Sequence, residues 1–240
     1  MIYFITYAND VFKKAKARLC SEAEATNWFD SVTPYGPDDL DTDFKYKFKD
    51  ILNKGRGAGY WIWKSYVIRK KLYEMNDNDI LVYLDAGCSI NPKGKERFDE
   101  YISMLEPHDE DMIAMQMTHL AEKLYTVKEI FQHFGLEIDG KLANSGQLVG
   151  GINVIKKNEN SMKIINTLFE TLHTNPSLFT DEYNKKNQPP YFRDNRHDQS
   201  VFSVIRKMNN VIMLKDETYF TPFGNDESLK CPFWATRYRH

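Results

Sequence analysis

The sequence predicts an α/β protein with a mostly parallel central sheet between helices, and three observations carry that expectation. Strand-like and helix-like stretches alternate along most of the chain, the order that strand–helix–strand crossovers produce. The run Ile80-Leu81-Val82-Tyr83-Leu84 is apolar throughout, as a strand covered on both faces must be. No internal repeat or low-complexity segment breaks the alternation. Length alone allows one large domain or two small ones, and the expectation adopted is a single domain over residues 1–240.

The elements follow in order. Ile2 to Tyr7 is a short run of β-formers and reads as a buried strand. Phe12, Ala15 and Leu19 recur at helical spacing with Lys13, Lys14, Lys16 and Arg18 on the wet side. Trp28 to Val32 reads as a second strand. Phe44, Phe48, Ile51 and Leu52 mark a helix that Gly55 stops, and Trp61, Ile68, Leu72 and Met75 mark the next. After the 80–84 strand, Met112 to Gln116 is another. Thr126 with Glu129 predicts a capping box opening a helix over 127–134, closed by Gly135. Leu148 to Ile155 reads as a strand with a glycine pair inside it. Met162, Ile165, Phe169 and Leu172 give a helix, as do Val201, Phe202, Ile205 and Met208, and Val211 to Leu214 reads as the last strand. The polar stretch 184–190 is a loop.

Composition narrows the function classes. A net charge of −2 gives no drive toward nucleic acid. No apolar run has a membrane-spanning length, and the start has no basic region before its apolar stretch, so no signal peptide is expected. Cys20, Cys88 and Cys231 are too widely spaced for a zinc pattern and fit a reducing compartment, so the expected location is the cytoplasm. Lys230, Arg237 and Arg239 make a basic tail able to touch anionic lipid at the membrane's inner face, although a solvated terminus is the simpler reading. His108, His119, His133 and His173 lack ligand spacing and read as structural. The Gly-x-Ser-x-Gly elbow, the P-loop and His-Glu-x-x-His are absent, which removes several hydrolase classes.

Four places carry candidate chemistry. Asp85, with Ala86 and Gly87, follows the buried central strand 80–84, at the kind of strand end where α/β sheets bind ligands. It reads equally as a turn or as a carboxylate holding a hard cation with phosphate oxygens. Gly55-Arg56-Gly57-Ala58-Gly59 precedes Trp61, Trp63 and Lys64. Its glycines permit close backbone approach, and Arg56 and Lys64 are phosphate-binding types; the plain alternative is a helix-to-helix link. Trp63 and Lys64 fall off the Trp61 stripe and are free to face a site. Arg196-His197-Asp198-Gln199 opens a helix. An acid there suits the helix dipole, but Asp198 is also placed to act as a base or to stabilise a cationic transition state. Gly150-Gly151 marks either a bulge or close approach of a ligand.

Taken together these segments resemble the GT-A glycosyltransferases. Lys64 on a helix leading into Tyr83-Leu84-Asp85-Ala86-Gly87 is similar to their nucleotide-sugar site, where a strand ends Tyr-Leu-Asp-x-Asp. Ala143-Asn144-Ser145-Gly146 with Val149-Gly150-Gly151 is similar to the acceptor-side strand of the glycogenin-like and galactosyltransferase-like members, and Asp198-Gln199 to their Asp-Gln motif. Thr6-Tyr7-Ala8-Asn9 stands where those enzymes hold base and ribose. The combination of Trp61-Ile62-Trp63-Lys64 with Asp85-Ala86-Gly87 looks most like small proteins of bacterial polysaccharide loci and large DNA viruses, whose setting would be a bacterial or infected-host cytoplasm.

The resemblance covers Met1 to about Met208. It implies transfer of a hexose from a UDP- or GDP-linked donor to a glycan, lipid-linked or protein acceptor, in polysaccharide biosynthesis, with Mn2+ or Mg2+. It implies donor contacts from Thr6, Tyr7, Ala8, Arg56, Gly57, Trp63, Lys64, Asp85, Ala86, Gly87, Gly150 and Gly151, catalytic roles for Asp198 and Gln199, and Asp85 and His240 as metal ligands. The Asp-Gln analogy points to retention; inversion would make Asp198 the base for the acceptor hydroxyl. The second acid of the Asp-x-Asp motif is Gly87 here. That departure motivates an alternative, a domain that binds nucleotide or glycan without turnover. A sugar nucleotidyltransferase would need a glycine-rich loop where Ala8-Asn9-Asp10-Val11 stands.

Overall fold

The computed structural model describes residues 1–106 and 111–239. Seven strands form the main sheet: β1 (Ile2–Tyr7), β2 (Ser31–Tyr35), β3 (Ile80–Leu84), β5 (Met112–Ala121), β6 (Gly146–Leu148), β7 (Ile152–Lys156) and β8 (Ile212–Lys215). A two-stranded ribbon joins β4 (Ser89–Ile90) to β9 (Phe233–Trp234). β2, β1 and β3 lie side by side and parallel. β7 runs antiparallel between β3 and β5, and β8 runs parallel on the far edge of β5. All but β6 and β7 therefore point the same way, as the sequence predicts for a mostly parallel sheet.

The order β2-β1-β3 matters for function. The chain leaves β1 in one direction, forms β2, then returns to the other side of β1 as β3. The crossovers diverge there, leaving a crevice at the strands' carboxyl ends, where α/β sheets seat ligands. Those ends are Tyr7-Ala8 and Leu84-Asp85.

Side chains alternate across the sheet, and each face has its own core. Ile5, Tyr7, Leu81, Tyr83 and Ile155 face the helices Trp63–Glu74, Glu159–Thr174 and Asp198–Lys207. Phe4, Val82, Leu84 and Val154 face the helices Lys13–Thr26 and Lys95–Leu105. All five residues of β3 are buried, because β1 and β7 flank it and helices cover both faces.

Several elements differ from their sequence reading. β2 begins at Ser31 rather than Trp28, because Trp28 stacks on Phe98 at 4.9 Å and Phe29 packs edge-on to the same ring. The apolar run there is an aromatic plug under the Lys95–Leu105 helix, not strand. The Phe44–Leu52 stripe breaks at Phe48 into two short helices. Thr126 makes no capping box: its hydroxyl donates to Glu122 at 2.6 Å, and Glu129 instead accepts from Gln188 at 2.7 Å. Val127 caps the Lys128–His133 helix without a side-chain bond. β8 is not the last strand, since β9 follows it. His108 lies outside the described residues.

The predicted 148–155 strand is two strands on one edge of β5. β6 pairs with the second half of β5 and β7 with its start, and Val149-Gly150-Gly151 separates them. Arg206, fully buried, staples this break. It donates to the Val149 carbonyl at 2.8 Å and to the Asn153 amide oxygen at 3.0 Å, and Asn153 donates back to the Gly150 carbonyl at 3.0 Å.

Candidate active site

The strand period builds the centre of the site. Tyr83 and Asp85 are two residues apart, so both side chains fall on one face, and the Tyr83 hydroxyl donates to Asp85 Oδ1 at 2.6 Å. The Trp63–Glu74 helix crosses that face and brings Lys64 over the Tyr83 ring, 5.6 Å from its centre. The Asp198–Lys207 helix points its first residue at the same spot. Lys64 Nζ ends 2.6 Å from Asp198 Oδ2, 3.2 Å from Asp85 Oδ1 and 3.3 Å from the Gly150 carbonyl.

An ammonium has three donors, and these three acceptors use them all. Lys64 is therefore not free to bind phosphate, which corrects the role the sequence suggested. It is buried, and its work is to hold two carboxylates and the broken strand together. Burial lowers its pKa, but Asp198 and Asp85 outweigh that and hold the ammonium above its ordinary value. Burial, with the charge of Asp85 beside it, holds Asp198 above the usual carboxylate range despite Lys64. The Asp85 side chain is a third exposed, against 9% for Asp198, so Asp85 is the open carboxylate of the pair.

The glycine pair is a consequence of crowding. A Cβ on Gly151 would stand 2.6 Å from Asp85 Oδ2, and one on Gly150 would stand 2.8 Å from Gln199 Cβ. Gln199 is held at both ends of its amide: the oxygen accepts from Gly150 N at 3.0 Å and the nitrogen donates to Gln147 at 2.7 Å. Gln147 also donates to buried Glu122, which takes further bonds from Ser203 and from Lys207, the latter at 2.7 Å. Sequence reading missed Gln147 and Glu122. A buried glutamate in a strand-to-helix corner has no spacing signal, although its type alone demands partners.

Other expected residues fall elsewhere. Arg56 pairs with Asp181 at 3.4 Å and Asp194 at 3.2 Å, and among the described residues no bond joins it to Asp85 or Lys64. Its loop is needed for shape: residues 57 to 61 all have positive φ. A Cβ on Gly57 would lie 2.4 Å from the Trp61 ring, so the glycines serve a left-handed turn. That turn places Tyr60 against His197, ring centres 4.8 Å apart, while His197 shares a hydrogen bond with Asp181 at 2.9 Å. His197 itself has φ 55°, a strained conformation next to Asp198. Trp63 is not free to face a site: it stacks on Tyr7 at 3.9 Å, within the core. Thr6 is fully buried and its hydroxyl has no partner among the described residues. The Ala8 carbonyl faces Lys16 at 3.5 Å.

Gly87 has its own reason. The chain's C-terminal segment returns to lie on it: Tyr238 N and the Thr236 hydroxyl each donate to the Gly87 carbonyl at 2.9 Å. A Cβ there would be 3.3 Å from Arg237 Cα and from the Tyr238 carbonyl, so an acidic side chain would have to push the segment away.

No family profile and no curated protein matches this chain. Solved structures do match. The chain is similar to the crystal structure of a glycosyltransferase involved in the glycosylation of the major capsid of the virus PBCV-1, with 12% identity and a TM-score of 0.56 over 97% of this chain and 92% of that one. The fold is that of a GT-A glycosyltransferase. Mouse xyloside xylosyltransferase 1 also aligns, at 10% identity and TM-score 0.48 over 98% of this chain and 97% of that one. The galactosyltransferase LgtC, in complex with donor and acceptor sugar analogues, aligns at 12% and 0.47 over 98% and 84%.

Within this GT-A frame the metal expectation can be set against the residues. Asp85 Oδ1 is committed to Tyr83 and Lys64, and Gly87 supplies no ligand. The ammonium of Lys64 sits between the two carboxylates, where a cation shared by them would go. Among the described residues no group of three His, Cys, Asp or Glu side chains is placed to hold a metal ion, and His240 lies outside them. The described residues therefore do not fit a resident divalent ion. No helix is long and apolar enough to cross a membrane.

Proposed function

We propose that this protein transfers a hexosyl group from a nucleotide-sugar donor to a hydroxyl group of a glycan, lipid-linked or protein acceptor. One observation supports this above the rest. In a GT-A fold, the carboxyl end of β3 at the switch point carries two carboxylates fixed by one buried ammonium. Two carboxylates and one ammonium sum to −1, a field that favours the cationic sugar carbon of a glycosyl-transfer transition state.

The donor's base and ribose would lie across the carboxyl ends of β1 and β3, at Tyr7-Ala8 and Leu84-Asp85. As the bond from sugar carbon to phosphate oxygen breaks, its electron pair leaves with the nucleoside diphosphate. The acceptor oxygen forms the new bond to that carbon and loses its proton to a carboxylate of the Asp85–Asp198 pair. Asp85, the more exposed, meets substrate, while Lys64 and Gln199 act as positioning residues that keep the carboxylates and the glycine pair in place.

The test is release of nucleoside diphosphate from a panel of UDP-, GDP-, CMP- and dTDP-sugars with candidate acceptors. Asp85→Ala should lower turnover by about 10²–10³, the size of effect that loss of one electrostatic contact produces, while still folding cooperatively with a modestly lowered melting temperature, because the Tyr83 hydroxyl and Lys64 lose a partner. Full activity in that variant would remove Asp85 from the mechanism. Tight donor binding with no release of nucleoside diphosphate under any condition would leave a binding domain instead.

A further inference from the structure

Transfer from a nucleoside diphosphate requires cations beside the leaving group, and the centre described above has none to spare. Lys64 is saturated, Arg56 is neutralised by Asp181 and Asp194, and Gly87 takes the place of the second acid. The C-terminal segment brings cations to the same spot. Thr236 and Tyr238 anchor it on the Gly87 carbonyl, two residues past Asp85. From there it runs toward the end of β1: Tyr238 lies beneath the Arg18 guanidinium at 5.5 Å, and Arg239 lies 6.0 Å from the Phe12 ring. The segment thus spans the crevice between β3 and β1 as a strap.

Its arginines are not paired. Among the described residues no carboxylate forms an ion pair with Arg237, Arg239 or Arg196. Arg196 comes from the loop just before Asp198, stacks on Tyr125 at 4.0 Å and donates to Gln147 at 3.4 Å, the residue that holds Gln199. Burial first, and the like charge of Arg237 with it, hold the Arg196 pKa below its ordinary value. The carboxylates of Asp194 and Glu122 also act on Arg196 from beyond ion-pair distance, and the Arg237 guanidinium lies 5.9 Å from the Tyr219 ring, so both keep charged donors for an anion.

We propose that the strap 236–239, anchored on the Gly87 carbonyl, is the seat of the donor's pyrophosphate, and that Arg237 supplies the charge that a metal ion on a second acid would otherwise bring. This rests on the nucleotide-sugar reading above for its ligand, but the anion seat is separable from it. The glycine at 87 and the basic tail then form one device: the missing side chain admits the strap, and the strap carries the cation.

The test is calorimetric titration of the full chain with UDP, GDP and inorganic pyrophosphate in EDTA. Wild type should bind without added metal. Arg237→Ala should weaken binding by about tenfold or more, and Arg237→Lys should recover part of the loss, since lysine keeps the charge but not the fork. Arg237 is exposed, so the variants should fold normally, which a melting curve checks. Equal affinity in wild type and Arg237→Ala would overturn the proposal. So would binding that EDTA abolishes and Mn2+ restores, or an Arg237 effect confined to anionic vesicles. Arginine-dependent binding of pyrophosphate, with no affinity for any nucleotide, would keep the seat and refute the nucleotide-sugar reading instead.

Discussion

Replacing Lys64 with methionine keeps much of its volume and removes its charge. The Lys64–Asp198 pair is 2.6 Å long, with side chains 3% and 9% exposed, so it belongs to the buried class. Removing one partner of such a pair costs about 3–5 kcal/mol, because the other charge stays buried and uncompensated. The Asp85 contact, at 3.2 Å and a third exposed on the carboxylate side, adds at most about 1 kcal/mol, since solvent screens it. Against a typical total of about 5–15 kcal/mol this is a large fraction, and in a chain of this size it lowers the melting temperature by roughly 6–24 °C. The sign of the pH response is fixed as well. Without the ammonium, the folded-state pKa of Asp198 rises further above its unfolded value. Folding then takes up protons between the two values, so the variant gains stability as pH falls through the raised pKa. Urea titrations from about pH 8 to about pH 5 read both effects. A Lys64→Met protein that loses less than about 1 kcal/mol, or whose stability stays flat with pH, would refute the assignment of Lys64 as the charge that makes the carboxylate pair tolerable. Lys64→Met/Asp198→Asn should recover part of the loss, because it removes the stranded charge.

Three further outcomes are expected. Gly151→Ala puts a Cβ 2.6 Å from Asp85 Oδ2, so the carboxylate must turn; the fold should survive with a loss of about 1–3 kcal/mol, while transfer falls by about 10², and activity within twofold of wild type would show that this orientation is irrelevant. Glu122→Gln leaves buried Lys207 without its counter-charge, and urea melts should show a loss of about 3–5 kcal/mol. The rate of transfer should fall on the acid side with an apparent pKa above the ordinary carboxylate value, because ionised Asp198 is protonated there; Asp198→Asn should lack that limb in a profile of kcat/KM against pH.

Much of the fold was legible because it rests on patterns that one residue cannot hide. The β3 run, the Glu159–Thr174 helix stripe and the alternation of elements are averages over many side chains. The errors fall where a local pattern has two physical causes. Trp28-Phe29 is apolar enough for a strand, yet its rings are used edge-on and stacked against Phe98. Thr126 and Glu129 have the spacing of a cap, yet Thr126 bonds back to Glu122 one turn earlier and Glu129 serves Gln188, far along the chain. In the site, Asp85, Lys64 and Asp198 were nominated separately and the fold brings them together. Their roles were not readable, because the saturation of Lys64 depends on Gly150 and Asp198, far along the chain. Arg56 shows the same limit: its type suits phosphate, but Asp181 and Asp194 arrive first. Glu122 and Gln147 gave no signal, since a buried polar network has no period.

The position of β7 has a consequence for how this chain is made. β3 emerges from the ribosome with β1 already available as a neighbour, but its other edge waits for β7, whose first residue is Ile152. Until then an apolar strand carries open backbone donors and acceptors, a template for pairing with any other nascent chain. A stalled chain ending before Ile152 keeps that edge bare, whereas one extending past Lys156 can close it. Codon choice and temperature during expression should therefore matter most while residues 85–156 are being synthesised, and truncations within that interval should collect in inclusion bodies.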